Sequence, residues 1–180
     1  MNLYHGTNLV SAQNIIRQGI DLSKCSESTD FGKGFYTTES VYFARKCANR
    51  KAKRADDKAA LLKFEVNASK FRGIKYFPTP TIEWCQFVVN NRCGYEYYHS
   101  TMTGIHNLDG KFEVVRGLIA DGNVVEFAQY CLEHEYVVCN SDISEIYSST
   151  YPEQYTFHSE RSFVLLGTPE LIILEGGEMQ

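Results

Sequence analysis

Apolar positions along the chain recur with two periods, near two and between three and four, and the two patterns alternate before the shorter one prevails. Ala60-Leu61-Leu62-Lys63-Phe64-Glu65-Val66 and Gln154-Tyr155-Thr156-Phe157-His158 read as strands. Glu113 to Ala120 reads as another, closed by Asp121-Gly122. Glu170 to Glu175 is continuously apolar between its ends and is expected as a last, buried strand. A short strand is expected over Asn2 to Tyr4, ending at His5-Gly6-Thr7, and another over Phe35 to Thr38. Ala12, Ile15 and Ile16 have helical spacing between a cap at Asn8 or Ser11 and Gly19. Val41, Phe43, Ala44, Cys47 and Ala48 predict a helix from Glu39 to about Ala60. Shorter helices are expected from Thr79-Pro80-Thr81 through Glu83, Trp84, Phe87 and Val88, over Val124 to Glu133, and from a Ser159 cap to Leu166. Ile20 to Thr29 and residues 93–112 lack a period and read as irregular. This order implies one α+β domain over residues 1–180, its sheet built from distant segments.

Composition narrows the class. The chain has 180 residues, 43% hydrophobic and 22% charged, which suits a single globular core. A net charge of −4 and a pI near 5.7 argue against a globally basic nucleic-acid binder and leave room for a local basic patch. Such a patch exists at Arg45, Lys46, Arg50, Lys51, Lys53 and Arg54, either a solvated helix face or a surface for phosphates or nucleic acid. No signal peptide and no apolar run of the ~18 residues needed for a membrane span are evident, so a cytoplasmic protein with no membrane partner is expected. The six cysteines form no C-x-x-C pair, and no Cys/His group has ligand spacing, so free thiols and no metal are expected.

Two glycine-containing stretches stand out. In Asp30-Phe31-Gly32-Lys33-Gly34-Phe35-Tyr36-Thr37-Thr38, glycines that allow close backbone approach feed a strand of aromatic and β-branched residues. The stretch is either a backbone cradle with Tyr36 beside it or a turn before an ordinary strand. His5-Gly6-Thr7 offers a ring donor, an unobstructed backbone and a hydroxyl.

Together these stretches, 31 positions apart from His5 to Tyr36, resemble the catalytic region of the ADP-ribosyltransferase superfamily, in its poly(ADP-ribose) polymerase and diphtheria-toxin-like branch. Over nearly its whole length the chain also resembles an uncharacterised bacterial family of such folds, with blocks at Glu83-Trp84 to Asn91-Arg92, Gly117 to Asp121 and Gln154 to Ser159. The resemblance implies a split antiparallel β-sandwich with flanking helices that clamps NAD as substrate. It also implies mono-ADP-ribosyl transfer to a protein or nucleic-acid acceptor, as in a toxin-type effector with an antitoxin-like partner. By similarity, Gly6 would hold the nicotinamide carboxamide through its backbone, His5 and Thr7 the adenosine-side ribose, and Tyr36 would stack on nicotinamide. Gly32, Lys33 and Gly34 would form the cradle, with Lys33 either on the pyrophosphate or in solvent.

The third family element is a glutamate at a strand start, and here the strand pattern puts Gln154 in that slot. An amide oxygen accepts a hydrogen bond from a ribose hydroxyl but offers neither a general base nor a full negative charge. The departure disfavours polymer formation and leaves mono-transfer, NAD hydrolysis or NAD and ADP-ribose binding without turnover. Glu153, Glu160 and Asp121 are the carboxylates considered as substitutes, with period 2 aiming Glu153 at the opposite face. Asp121 also suits a turn before Gly122, and Asp30 reads as a turn residue. His158 is a core or cleft residue, while Trp84, Tyr95, Tyr97 and Tyr98 either cover the core or stack on bases.

Overall fold

The computed structural model describes residues 1–71, 73–120, 122–146 and 152–175, residues 145 and 146 by backbone alone. In order these form β1 (Asn2–Asn8), α1 (Leu9–Gln18), β2 (Phe35–Thr38), α2 (Val41–Ala55), β3 (Ala59–Glu65), β4 (Lys75–Phe77) and α3 (Ile82–Thr101). Next come β5 (Val114–Leu118), α4 (Gly122–His134), α5 (Asn140–Ile146), β6 (Glu153–Phe157), α6 (Glu160–Phe163) and β7 (Glu170–Ile173). The α+β class holds. The seven strands make one mixed sheet in the order β4-β5-β6-β2-β1-β3-β7, antiparallel throughout except where β4 runs parallel to β5.

The sheet is continuous on one face and divided on the other. On one face, Leu3, Leu62 and Phe64 pack with Phe35, Val114, Tyr155 and Phe157 in a core spanning both sides of the β1–β2 junction. On the opposite face, Ala44, Ala48 and Ala52 of α2 cover β1 and β3, with Ala59 and Leu61. A separate core gathers Trp84, Phe87, Val88 and Tyr97 of α3 with Val124, Ala128 and Cys131 of α4, and Phe31 and Tyr36 pack into it. The junction is itself thin. β1 pairs with β3 along all seven residues, but with β2 only at Tyr4↔Thr38. Beyond that point His5, Gly6 and Thr7 part from Tyr36 and Phe35.

Several local expectations change. His5-Gly6-Thr7 lies inside β1 rather than at its end, because the alternation continues to Asn8 against Ala59. α3 runs on to Thr101 through a break at Gly94, whose φ of 86° suits glycine, so 93–101 is helix and not irregular. Burial of Tyr97 on α4 stabilises that second segment despite its lack of period. β7 is an edge strand with Ile173 nearly half exposed, and not a buried one; its apolar run covers only one side of β3. β4 and α5 have no clear sequence signal, being three and seven residues long. Asn8 precedes α1 without a side-chain cap, whereas Ser159 caps α6 reciprocally with Ser162.

Gly6 has a packing reason to be glycine. A Cβ built there falls 1.9 Å from the Ala44 carbonyl oxygen and 2.9 Å from the Ala48 nitrogen. Those atoms are helix backbone and cannot swing aside, so Gly6→Ala must push α2 off β1. We expect a loss on the order of 3 kcal/mol in urea unfolding, against a change within about 1 kcal/mol for Gly122→Ala, an open position on α4 without a positive φ.

Candidate functional site

The glycine loop, β2 and β6 meet around one carboxylate. Asp30 is buried and its two oxygens take four donors. Oδ1 accepts from Arg92 Nε at 2.9 Å and from Arg92 Nη2; Oδ2 accepts from the Ala120 amide at 3.0 Å and from Gln154 Nε2 at 2.7 Å. A carboxylate has about four lone-pair sites, so all are used. Asp30 is therefore a structural hub as well as the turn residue its neighbours suggested, since the Gly32 amide donates back to the Thr29 carbonyl around it. Arg92 reaches it because Asn90 and Asn91, both buried, fix this stretch of α3. Asn91 accepts from the Asn107 amide at 2.8 Å, and Asn90 donates to the Thr103 and Ile105 carbonyls.

The same contact settles Gln154. A carboxylate only accepts, so the amide turns its NH2 to Asp30 and keeps its carbonyl oxygen for another donor. Gln154 pairs with Thr38 on β2 and Gly117 on β5, and it shares a face of β6 with Thr156 and His158. Tyr36, opposite Thr156, lies on that face too. A glutamate at 154 would set two carboxylates at hydrogen-bond distance, where one must hold a proton. An amide at 154 thus suits the place beside Asp30, where a second carboxylate would not.

Tyr36 is pinned by its hydroxyl. It accepts from the Phe31 amide at 2.9 Å and lies 2.9 Å from Thr29 Oγ1 and 2.8 Å from the Gly32 carbonyl. Burial, then the charge of Asp30, raises its pKa. The phenol is a fixed ring and not an acid or base at neutral pH. The loop around it is tight: Gly32 has φ of 86°, and a Cβ on Gly34 would fall 2.6 Å from Thr156 Cγ2 and 2.8 Å from His158 Nδ1. Lys33 points elsewhere, into an ion pair with Glu27 at 2.9 Å.

His5 fills the gap where β1 and β2 part. Its ring stacks on Phe35 at 4.3 Å, and Nδ1 lies 2.7 Å from the Tyr36 carbonyl. That carbonyl requires Nδ1 to carry the proton, which leaves a lone pair on Nε2 facing Lys51 Nζ at 3.5 Å. Burial, and then Lys51, lower the His5 pKa to about 3. His5 and Tyr36 therefore meet through backbone, their rings lying on opposite sides of β2. Thr7 is buried, with only a 3.5 Å contact to Asn8 Oδ1.

The substitute carboxylates are not at this site. Glu153 faces away, bound to Arg116 at 2.7 Å and to the Tyr76 hydroxyl at 2.7 Å. Glu160 is exposed on α6 beside a cavity of about 260 Å³ lined by Ile15, Phe64 and Phe163, on the other side of the sheet. Asp121 lies outside the described residues. Trp84 and Tyr97 are core residues, and Tyr95 is half exposed. All six cysteines are free thiols. Among the described residues no His, Cys, Asp and Glu cluster is placed to hold a metal, and no helix is long and apolar enough to cross a membrane.

With this geometry in view, the sequence comparisons give a family without an activity. Residues 1–167 match DUF3990, described as a protein of unknown function. The chain belongs to the DUF3990 family. No curated protein is significantly similar to it in sequence.

His158 adds a further buried imidazole that sequence reading left between core and cleft. Its Nδ1 donates to the Lys33 carbonyl at 2.8 Å, while its Nε2 and the Thr156 hydroxyl have no hydrogen-bond partner. Thr156 Oγ1 lies close to the Tyr36 hydroxyl without the geometry of a hydrogen bond to it. Burial lowers the His158 pKa to about 4.

Two outcomes follow for stability. Asp30→Ala leaves Arg92 without its counter-charge and should cost about 3–5 kcal/mol in urea unfolding. Gln154→Glu should lower the melting temperature relative to wild type more at pH 7 than at pH 5, where one of the two carboxyls takes up a proton more easily. For pH, His5 and His158 are neutral in the fold, while an unfolded histidine protonates below its ordinary 6.5. Stability is then greatest above pH 6.5 and falls as pH drops toward about 4 for His158 and about 3 for His5. At pH 5 the His158 share is about 2 kcal/mol. Replacing His158 with Asn should flatten the pH dependence of unfolding between those limits; an unchanged slope would refute the assignment.

Proposed function

We propose that this chain is an NAD-binding, ADP-ribosyltransferase-like domain that transfers a single ADP-ribosyl group from NAD to an acceptor. The observation that carries the reading is the opening of the β1–β2 ladder between the two glycine motifs. His5 on one strand reaches the Tyr36 carbonyl on the other, Gly6 and Thr7 follow it along the parted strand, and the Gln154 amide lies on the strand adjoining β2. The finer fold implied, a split β-sandwich, is supported by that single-pair junction and by the separate helical covers on one face.

The residues fit the substrate in kind. Tyr36 offers a fixed ring against which nicotinamide would stack. His5 Nε2, a neutral lone pair, and the Gln154 carbonyl oxygen are acceptors for ribose hydroxyls. Asp30 does more than orient Gln154. A strong hydrogen bond to a carboxylate polarises the amide and draws electron density onto its oxygen, which favours a neighbouring positive charge. Departure of nicotinamide leaves positive charge on the ribose, so this is the chemistry the amide would assist. Nothing in the trio takes up a proton readily at neutral pH, which suits an acceptor that brings its own nucleophile and disfavours chain elongation.

A second reading has its own support. The buried amide and the absence of a free carboxylate beside Tyr36 among the described residues also suit a module that binds NAD or ADP-ribose without turnover. One experiment separates them. Incubation with nicotinamide-labelled NAD should release nicotinamide, and only slowly unless an acceptor is present, while calorimetry reports binding. Tyr36→Ala should weaken NAD binding about tenfold or more, the loss of a stacking contact near 1.4 kcal/mol. Binding without release in any lysate or nucleic-acid fraction would select the module. No binding at all would reject both.

A further inference from the structure

α2 carries a band of unpaired cations that begins beside His5. Arg45, Lys46, Arg50, Lys51, Lys53 and Arg54 are all exposed, and the helix contains no acid. None of the six forms an ion pair with a described carboxylate. Elsewhere in this acidic chain Lys24, Lys33, Lys63, Lys75, Arg92, Arg116 and Arg161 do, while Arg17, Lys58, Lys70 and Lys111 form none with a described carboxylate but are not gathered on one helix. The helix dipole explains Lys53 and Arg54 in the last turn. It does not explain Arg45 and Lys46 nearer the start, where the first turn lacks even the usual acid.

The placement is directional. At about 3.6 residues per turn, the buried stripe of Ala44, Ala48 and Ala52 is backed by Tyr42, Lys46, Asn49, Arg50 and Lys53. Arg54 and Lys51 carry the charge round the flank to His5, where Lys51 Nζ stands 3.5 Å from Nε2. Tyr42, 65% exposed, sits within the cations. The apolar face of α2 is small and already buried on β1, so the helix has nothing to insert into a membrane. Cations interleaved with an exposed aromatic ring and an amide are the elements that hold a phosphodiester backbone and stack its bases.

We propose that the exposed face of α2 binds single-stranded nucleic acid and leads it to the opening beside His5. In purpose the surface serves as the acceptor dock of the transfer proposed above and rests on that reading; in chemistry it stands apart from it. Unstacked bases suit the site because acceptor atoms on a base are screened within a duplex.

Fluorescence anisotropy with labelled single-stranded RNA and DNA of about 20 nucleotides tests this on the whole chain. The expected result is binding that weakens about 20-fold between about 50 and about 200 mM salt, the value for three phosphate contacts. Lys46→Ala/Arg50→Ala/Lys53→Ala should lose tenfold or more in affinity at the lower salt and flatten the salt dependence, with helix content and NAD binding unchanged. Alanine favours helix, so folding is not at risk. No binding, equal binding by the triple variant, a preference for the matching duplex, or binding only to phosphatidylserine vesicles would overturn the proposal. Oligonucleotide binding lost in the triple variant, in a protein that fails to bind NAD, would keep the surface and reject the NAD reading.

Discussion

The buried carboxylate of Asp30 is the constraint on which the site depends. Four donors from a helix, a strand end and a neighbouring strand converge on it, none of them close to it in sequence. A buried charge is costly unless compensated, and here every lone pair is engaged. The loop that follows Asp30 is thereby fixed at its start, and Tyr36, whose hydroxyl binds back into that loop, is fixed at its end. The placing of the loop, of Tyr36 and of the Gln154 amide thus traces to this one group.

Much of the architecture was legible along the chain because long alternating or helical runs announce themselves. β3, β6 and α4 fall close to where their periods put them; α2 does so at its start but stops at Ala55, where Asp56 takes a left-handed conformation, rather than running on to about Ala60. What was missed has physical reasons. The second half of α3 is stabilised by the burial of Tyr97, a tertiary effect that leaves no period. The edge position of β7 depends on which strands pair, and an apolar run carries no such information. The two glycine motifs stand out along the chain and do meet, at the His5 ring against Phe35 and the Tyr36 carbonyl. Their partners do not stand out: Asp30 looks like any turn residue, and Arg92 and Asn91 like the polar side of a helix. A buried polar network is written in residues that also favour surfaces, so only the fold distinguishes the two.

Glycine deserves a similar separation of causes. Gly6 and Gly34 both appear in motifs suited to close ligand approach. The structure gives each a steric reason as well, the backbone of α2 for one and the side chains of β6 for the other. A glycine can serve packing and access together, because the packed side is its Cα and the accessible side is its strand edge. Gln154 follows the same logic. Along the chain it is one amide among polar residues; opposite Asp30 it is the donor that completes the carboxylate's set of four.

The division of the cores has a mechanical meaning. On one face a single apolar core ties the two halves of the sheet together; on the other, α2 and the α3–α4 pair are separate covers that meet only at the strand junction. The undivided core holds the two half-sheets as a spine holds the covers of a book, and the His5 ring stands between the strands, stacked on Phe35. An occupant bridging both covers would join the half-sheets on the second face as the apolar core already joins them on the first.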